Sequence, residues 1–168
     1  MAKLLFLDCD GTIRQPASGK KFIDNPQDQC AIPGADKAIA NYHQQGYLCI
    51  GVTNQGGVAS GYKSLEDTIA EQSHTLKLFP ELEIIYFCPD YEGQICWKVT
   101  RDGERKIFDA DGNFRKPGTG MLLLAASEFE GILAESTMAG DRPEDEAAAM
   151  AAGVTFLWAD VWRKSTSV

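Results

Sequence analysis

Five short apolar runs punctuate the chain, at residues 4–7, 47–52, 83–87, 136–139 and 154–158. Within each run the hydrophobicity is continuous rather than alternating, as in strands buried on both faces of a parallel sheet. Helical patterns fill the intervals. "GADKAIANYHQQG" reads as a helix ended by Gly46, and "SLEDTIAEQSHTLKLF" opens on Ser64 with Asp67 three residues on, close to a capping box. "GTGMLLLAASEFEG" and "PEDEAAAMAAG" give two more, the last with Pro143 at its start and Gly153 at its end. Two segments break the alternation: residues 14–32 form a long loop after the first strand, and residues 89–115 a hairpin-like excursion after the third. Long loops in compact domains are often functional, and both are expected to border one mouth of the sheet.

This order predicts one α/β domain over residues 1–168, a Rossmann-like three-layer sandwich. Its central parallel sheet has about five strands, and there is no room for a large cap domain. Ligands bind such sheets beyond the carboxyl ends of the strands, and four pieces of sequence fall there. In "KLLFLDCDGTI", alternation puts Asp8 and Asp10 on a similar side and turns Cys9 away. Two adjacent carboxylates repel, so they imply a cation or a shared proton, unless the pair is only an Asp-Gly turn. In "IGVTNQGG", Thr53, Asn54, Gln55 and the backbone at Gly56 suit phosphate oxygens, or form a polar-capped turn. Arg115 and Lys116 of "FRKPGTGM" precede a helix N-terminus opened by Pro117, a place for an anion or for an ordinary surface pair. In "MAGDRPEDEAAAMAAG", Asp141 ends a strand and Asp145 lies one turn into the next helix. Glu144 and Glu146 are accounted for by the helix dipole, and Asp141 is not.

The net charge of -8 argues against sequence-blind binding to nucleic acid. It is compatible with a divalent cation presented to a phosphate. No run approaches a membrane span, and "LLFL" is too short for a signal peptide, so a cytoplasmic protein without membrane contact is expected. The five scattered cysteines read as reduced thiols, with Cys49 a small core residue. "GGVASGYKS" fails as a P-loop because Tyr62 occupies the lysine position, and "DADGN" lacks EF-hand spacing and reads as a turn.

In order and spacing, "DCDGT", the Thr53 motif, the Lys116 motif and "GDRPED" resemble the four motifs of the haloacid dehalogenase superfamily. The phrases "VTNQGGVASGY", "RKPGTGML" and "AGDRPEDEAAA" are similar to its capless phosphatases: histidinol-phosphate, heptose-bisphosphate and polynucleotide 3′-phosphatases. The resemblance implies a phosphomonoesterase with Asp8 as nucleophile and Asp10 as general acid and then base. It implies Mg²⁺ held by Asp8, the Asp10 main-chain carbonyl and Asp141, and Thr53 and Lys116 neutralising the transferring oxygens. Arg115, with Arg142, would read the rest of the substrate, and Asp145 would orient a metal water or Lys116. Relatives often carry a zinc loop of Cys-x-His and Cys-x-Cys pairs. Here Asp90 stands where the histidine would, Cys96 has no second cysteine, and structural zinc is not expected. His43 and His74 need only packing or surface roles. The expected substrate is a small phosphate ester such as a sugar phosphate. The alternatives are a nucleic acid 3′ end, for which Trp97 offers a stacking surface and Lys98, Arg101, Arg105 and Lys106 positive charge, or a non-catalytic binding module. A solvated hairpin of balanced charge is the simpler reading of residues 89–115. Nothing in the pattern sets an oligomeric state.

Overall fold

The computed structural model describes residues 1–165. The chain runs β1 (Lys3–Leu7), the two-residue strands β2 (Arg14–Gln15) and β3 (Cys30–Ala31), and helix α1 (Ala35–Gln44). Then come β4 (Tyr47–Asn54), α2 (Leu65–Leu78), β5 (Leu82–Cys88), β6 (Ile95–Thr100) and β7 (Gly103–Phe108). Helix α3 (Gly120–Glu128), β8 (Thr137–Gly140), α4 (Pro143–Ala152), β9 (Thr155–Trp158) and α5 (Ala159–Lys164) complete it. The expected α2 cap is present: the Ser64 side chain accepts from the Asp67 amide.

Seven strands form the main sheet in the order β7-β6-β5-β4-β1-β8-β9. The five apolar runs are its parallel strands, while β6 and β7 extend it as an antiparallel hairpin. The expectation of about five strands therefore undercounts. The segment expected as an excursion is part of the sheet, and its tip lies away from the ligand end. The Arg101 guanidinium fixes that tip by donating to the carbonyls of Leu82 (2.6 Å), Leu76 (2.8 Å), Phe79 and Pro80. Trp97 stacks on Phe87 (centroids 6.4 Å apart) and Lys98 pairs with Glu128. Trp97 is thus a packing residue, and at least two of the four basic side chains are committed to the protein.

Side chains of β1 leave the sheet alternately. Leu5 and Leu7 join Ile39, Leu76, Phe79 and Trp162 under α1, α2 and α5, while Leu4 and Phe6 join Met121, Leu122 and Ala149 under α3 and α4. Both faces are thereby dry, and the polar C-terminal ends of β1, β4 and β8 are the exits to solvent. β1 lies between β4 and β8, so the chain order reverses there, and a crevice opens at such a switch point.

Candidate active site

A cleft of about 1080 Å³ lies over these strand ends, lined by Asp8, Asp10, Thr53, Arg115, Lys116, Arg142 and Asp145 among others. The 14–32 loop supplies one wall through Gln15, Pro16 and residues 21–24. Of the 89–115 excursion, only Arg115 at its root reaches the cleft.

At the floor, Lys116 is almost fully buried, and its ammonium donates to Asp8 Oδ1 (2.9 Å), Asp145 Oδ1 (2.6 Å) and the Val52 carbonyl (2.8 Å). All three of its hydrogens are placed. Burial works against its charge, but the two carboxylates prevail and raise its pKa. Asp145 Oδ2 accepts from the amides of Asp141 and Arg142, tying the start of α4 to the same point. Burial raises the Asp145 pKa, with Lys116 opposing. Asp8 is buried, and desolvation outweighs Lys116, with Asp141 adding to the rise, so its pKa reaches about 6. Oxygens of Asp8, Asp141 and Asp145 lie within 4.8 Å of one another. They form an all-oxygen, hard donor set in which a proton or a cation must offset repulsion.

The turn after β1 is tight. The amides of Thr12, Ile13 and Arg14 all point at the Cys9 carbonyl (3.0–3.2 Å), and Gly11 takes φ 80°. A Cβ on Gly11 would collide with the Asp141 carboxylate. Gly11 thus allows the turn its left-handed residue and lets Asp141 approach.

Asp10 departs from Asp8. Its carboxylate is 52% exposed on one side and gripped on the other by the Arg14 guanidinium (Nε to Oδ1, 3.1 Å; NH2 to Oδ2, 3.2 Å) and the Gln55 amide (3.0 Å). Burial pushes its pKa up, but Arg14, Gln55 and Lys63 outweigh this and hold it below the usual carboxylate range.

The second motif is used differently from the expectation. Asn54 donates to the Lys116 carbonyl and accepts from the Lys116 amide (both 2.9 Å), so its side chain holds the lysine's backbone. Gln55 donates to Asp10 and Thr53 and accepts from Lys63 (3.2 Å). Both amides are therefore engaged within the protein, as is the Thr53 hydroxyl, which accepts from Gln55 (3.0 Å) and donates to the Asn54 carbonyl (3.4 Å), although these residues and Gly56 all line the cleft. Arg115 lies over the Tyr91 ring (5.1 Å), and its NH1 is buried beside Gly56 with no hydrogen-bond partner among the described residues. The sequence expectations did not include Arg14, Lys63 or Glu71, whose roles come entirely from tertiary contacts.

Where a zinc loop would stand, the Asp90 carboxylate ties the chain through the amides of Gln94 (2.9 Å) and Ile95 (3.2 Å) and faces Cys88 Sγ (3.2 Å). "DADGN" is a turn, with Asp109 Oδ1 accepting from the Asp111 amide.

The family model described as polynucleotide kinase 3 phosphatase matches residues 3–152. The chain is 31% identical over 148 residues to a D-glycero-D-manno-heptose-1,7-bisphosphate 7-phosphatase from Thermosynechococcus vestitus, covering 84% of this chain and 70% of that protein. It is 34% identical over 165 residues to the corresponding D-glycero-beta-D-manno enzyme of Haemophilus influenzae, covering 92% and 79%. Among solved structures, it superposes on a HAD-like phosphatase from Mesorhizobium loti (TM-score 0.70, 29% identity, 91% and 69% covered). A second is D,D-heptose 1,7-bisphosphate phosphatase from B. bronchiseptica, complexed with magnesium and phosphate (TM-score 0.68, 28% identity, 92% and 78% covered).

Proposed function

The chain belongs to the polynucleotide kinase 3 phosphatase family of the haloacid dehalogenase superfamily and is a phosphomonoester hydrolase, and from that premise we propose that it is Mg²⁺-dependent and acts on a small sugar phosphate. The observation that carries the substrate is the similarity to heptose-bisphosphate 7-phosphatases over most of their length. The net charge of -8 fits a small ester better than a polyanion.

The donor set suits Mg²⁺: hard oxygens, close together, with Asp8 keeping a proton only below about pH 6, where a cation would have to displace it. Asp8 and Asp141 would hold it with the Asp10 main-chain carbonyl. When bound, it supplies charge that orients the phosphate and offsets the repulsion among the carboxylates. Both oxygens of Asp145 are engaged by Lys116 and backbone amides, so Asp145 acts by holding those groups in place.

The Asp8 carboxylate attacks phosphorus, the P–O bond to the alcohol breaks, and Asp10 gives its proton to the departing alkoxide. Asp10, now a carboxylate, takes a proton from water, whose oxygen attacks the aspartyl phosphate and frees phosphate and Asp8. Its depressed pKa suits the base half of this cycle; the acid half requires Asp10 to enter protonated against the pull of Arg14 and Gln55. The Lys116 ammonium, its hydrogens held by Asp8, Asp145 and Val52, would offset through its charge the build-up on the transferring oxygens, and Thr53 would face them from the cleft wall. Arg115 NH1 and Arg142 line the cleft and would contact the rest of the ester.

Phosphate release from heptose 1,7-bisphosphate and other sugar phosphates, compared with oligonucleotides bearing a 3′-phosphate, tests the proposal. Turnover restricted to the oligonucleotides would replace the sugar reading with the one favoured by the description of the family model.

Two further results are expected. In EDTA, folded Asp8 binds its proton more tightly than the unfolded chain between about pH 4 and 6, so its contribution to stability falls as pH rises through that window. Mg²⁺ must displace the proton, so it should bind about tenfold more tightly at pH 7 than at pH 5. Thermal denaturation at graded Mg²⁺ reads this, and Asp8→Asn should flatten the dependence. Gly11→Ala should cost about 1–2 kcal/mol through its left-handed backbone. It should also weaken Mg²⁺ binding by pushing Asp141 aside; urea denaturation and the same thermal titration separate the two effects.

A further inference from the structure

Arg14 is fully buried, and each of its five N–H groups is directed at an acceptor. Nε and one NH2 hydrogen hold the two oxygens of Asp10, and NH2 also reaches Glu71 Oε2 (2.9 Å). NH1 donates to Gln72 Oε1 (2.7 Å) and Thr75 Oγ1 (2.6 Å). Glu71, Gln72 and Thr75 occupy one stretch of α2, so the fork is bolted to a helix. Glu71 Oε1 accepts from the partly exposed Lys63 (2.6 Å), so that Arg14 and Lys63 are balanced against Asp10 and Glu71. Thr75 donates to Gln29 Oε1 (2.5 Å), and the Gln29 amide reaches the Glu71 carbonyl (2.9 Å), joining the 14–32 loop to the same helix.

A buried guanidinium is a poor device for stability alone, because removing it from water costs about as much as its pairs return. Apolar side chains could fill the same volume. What this network does that an apolar filling cannot is fix a carboxylate that is half exposed to the cleft. Asp10 has two rotatable bonds and no packing on its open side. The fork and the Gln55 amide hold both oxygens in one orientation, in the cleft that Asp8 also lines.

We propose that Arg14 is a positioning residue: anchored on α2, it aims the Asp10 carboxylate at the leaving oxygen of the substrate. The inference rests on Asp10 being the general acid of the proposed mechanism. Arg14 touches no substrate, and its effect passes wholly through Asp10. Lysine at this position would keep the charge and lose the two-point grip.

The test is leaving-group dependence. A sugar phosphate needs its alkoxide protonated, whereas 2,4-dinitrophenyl phosphate loses a stable phenolate that needs no proton. kcat/KM reports only the steps through departure of the leaving group, so the later hydrolysis does not enter. Arg14→Lys should lower kcat/KM for the best sugar phosphate about 30- to 100-fold, up to the lower end of what general acid catalysis supplies, and for the dinitrophenyl ester by less than about threefold. The sugar-phosphate loss should fall on kcat with KM unchanged. Arg14→Gln/Glu71→Gln, which removes both buried charges, should show the same selectivity if Arg14→Lys folds poorly. Equal losses on both esters, or none, in these variants overturn the assignment. Asp10→Asn keeps the two failures apart: it should share the selectivity, and if it retains wild-type activity on both esters the reading of Asp10 is wrong.

Discussion

Asp8→Asn is expected to abolish phosphate release, a loss on the order of 10⁴-fold or more, as for other catalytic nucleophiles, while leaving the fold intact. The second half separates this from ordinary damage. The pocket already disfavours the ionised form of Asp8, whose pKa burial lifts to about 6. A neutral isostere therefore removes repulsion with Asp141, keeps its one oxygen for the Lys116 ammonium, and turns its amide nitrogen to the Thr12 hydroxyl, which can accept instead of donate. In EDTA at pH 7.5 the variant should melt at or above the wild-type temperature. With Mg²⁺ the order should invert, because only the carboxylate binds the ion well. Trapping with acid after mixing with ³²P-labelled substrate should give a labelled wild-type chain and an unlabelled variant. If wild type and variant release phosphate equally, Asp8 is not the nucleophile.

Lys116→Met is expected to fail in the opposite way, losing activity and stability together. The ammonium is the counter-charge for two buried carboxylates, and deleting one partner of such a pair costs about 3–5 kcal/mol. For a chain of this length that lowers the melting temperature by about 6–20 °C. Without the cation both aspartates rise further in pKa, so the folded state binds more protons than the unfolded one. The stability deficit should then be smallest near pH 4 and grow as pH rises through neutrality. kcat should fall by about 10²–10³-fold for loss of the positive charge beside the transferring oxygens. Lys116→Met/Asp145→Asn removes one stranded charge and should recover much of the stability and none of the activity. Circular dichroism melts in EDTA and phosphate-release assays separate the two quantities.

How much of this is legible in the chain depends on whether the signal is local. The five parallel strands are, because burial on both faces demands an unbroken apolar run. Asp8 and Asp141 are, because a carboxylate at the end of such a run has no structural reason to be there. β7 is not: as an edge strand its sequence "GERKIF" is polar and mostly exposed, without the alternation that marks a half-buried strand. α5 is six residues long and carries no readable period. The substrate-facing expectation for Asn54 and Gln55 arose because a polar side chain at a strand end can turn either to the cleft or sideways. The choice is made by Lys116, 62 residues on, and by Asp10, 45 residues back. Arg14 in "TIRQP" looks like any loop arginine, since its α2 partners lie 57 to 61 residues further along.

The pairing of Lys116 with Asp8 spans 108 residues of chain, and Lys116 to Asp145 another 29. Loop-closure entropy must be met before such contacts return anything, so they form among the last events of folding rather than in a local nucleus. Each acidic side chain on the floor is consequently a stranded charge in every partly folded species, and becomes a matched one only when β1, β4 and β8 are side by side. The chemistry of the cleft and the cooperativity of the whole domain thus share one ammonium group. A species that has lost either edge of that alignment retains no partial catalyst.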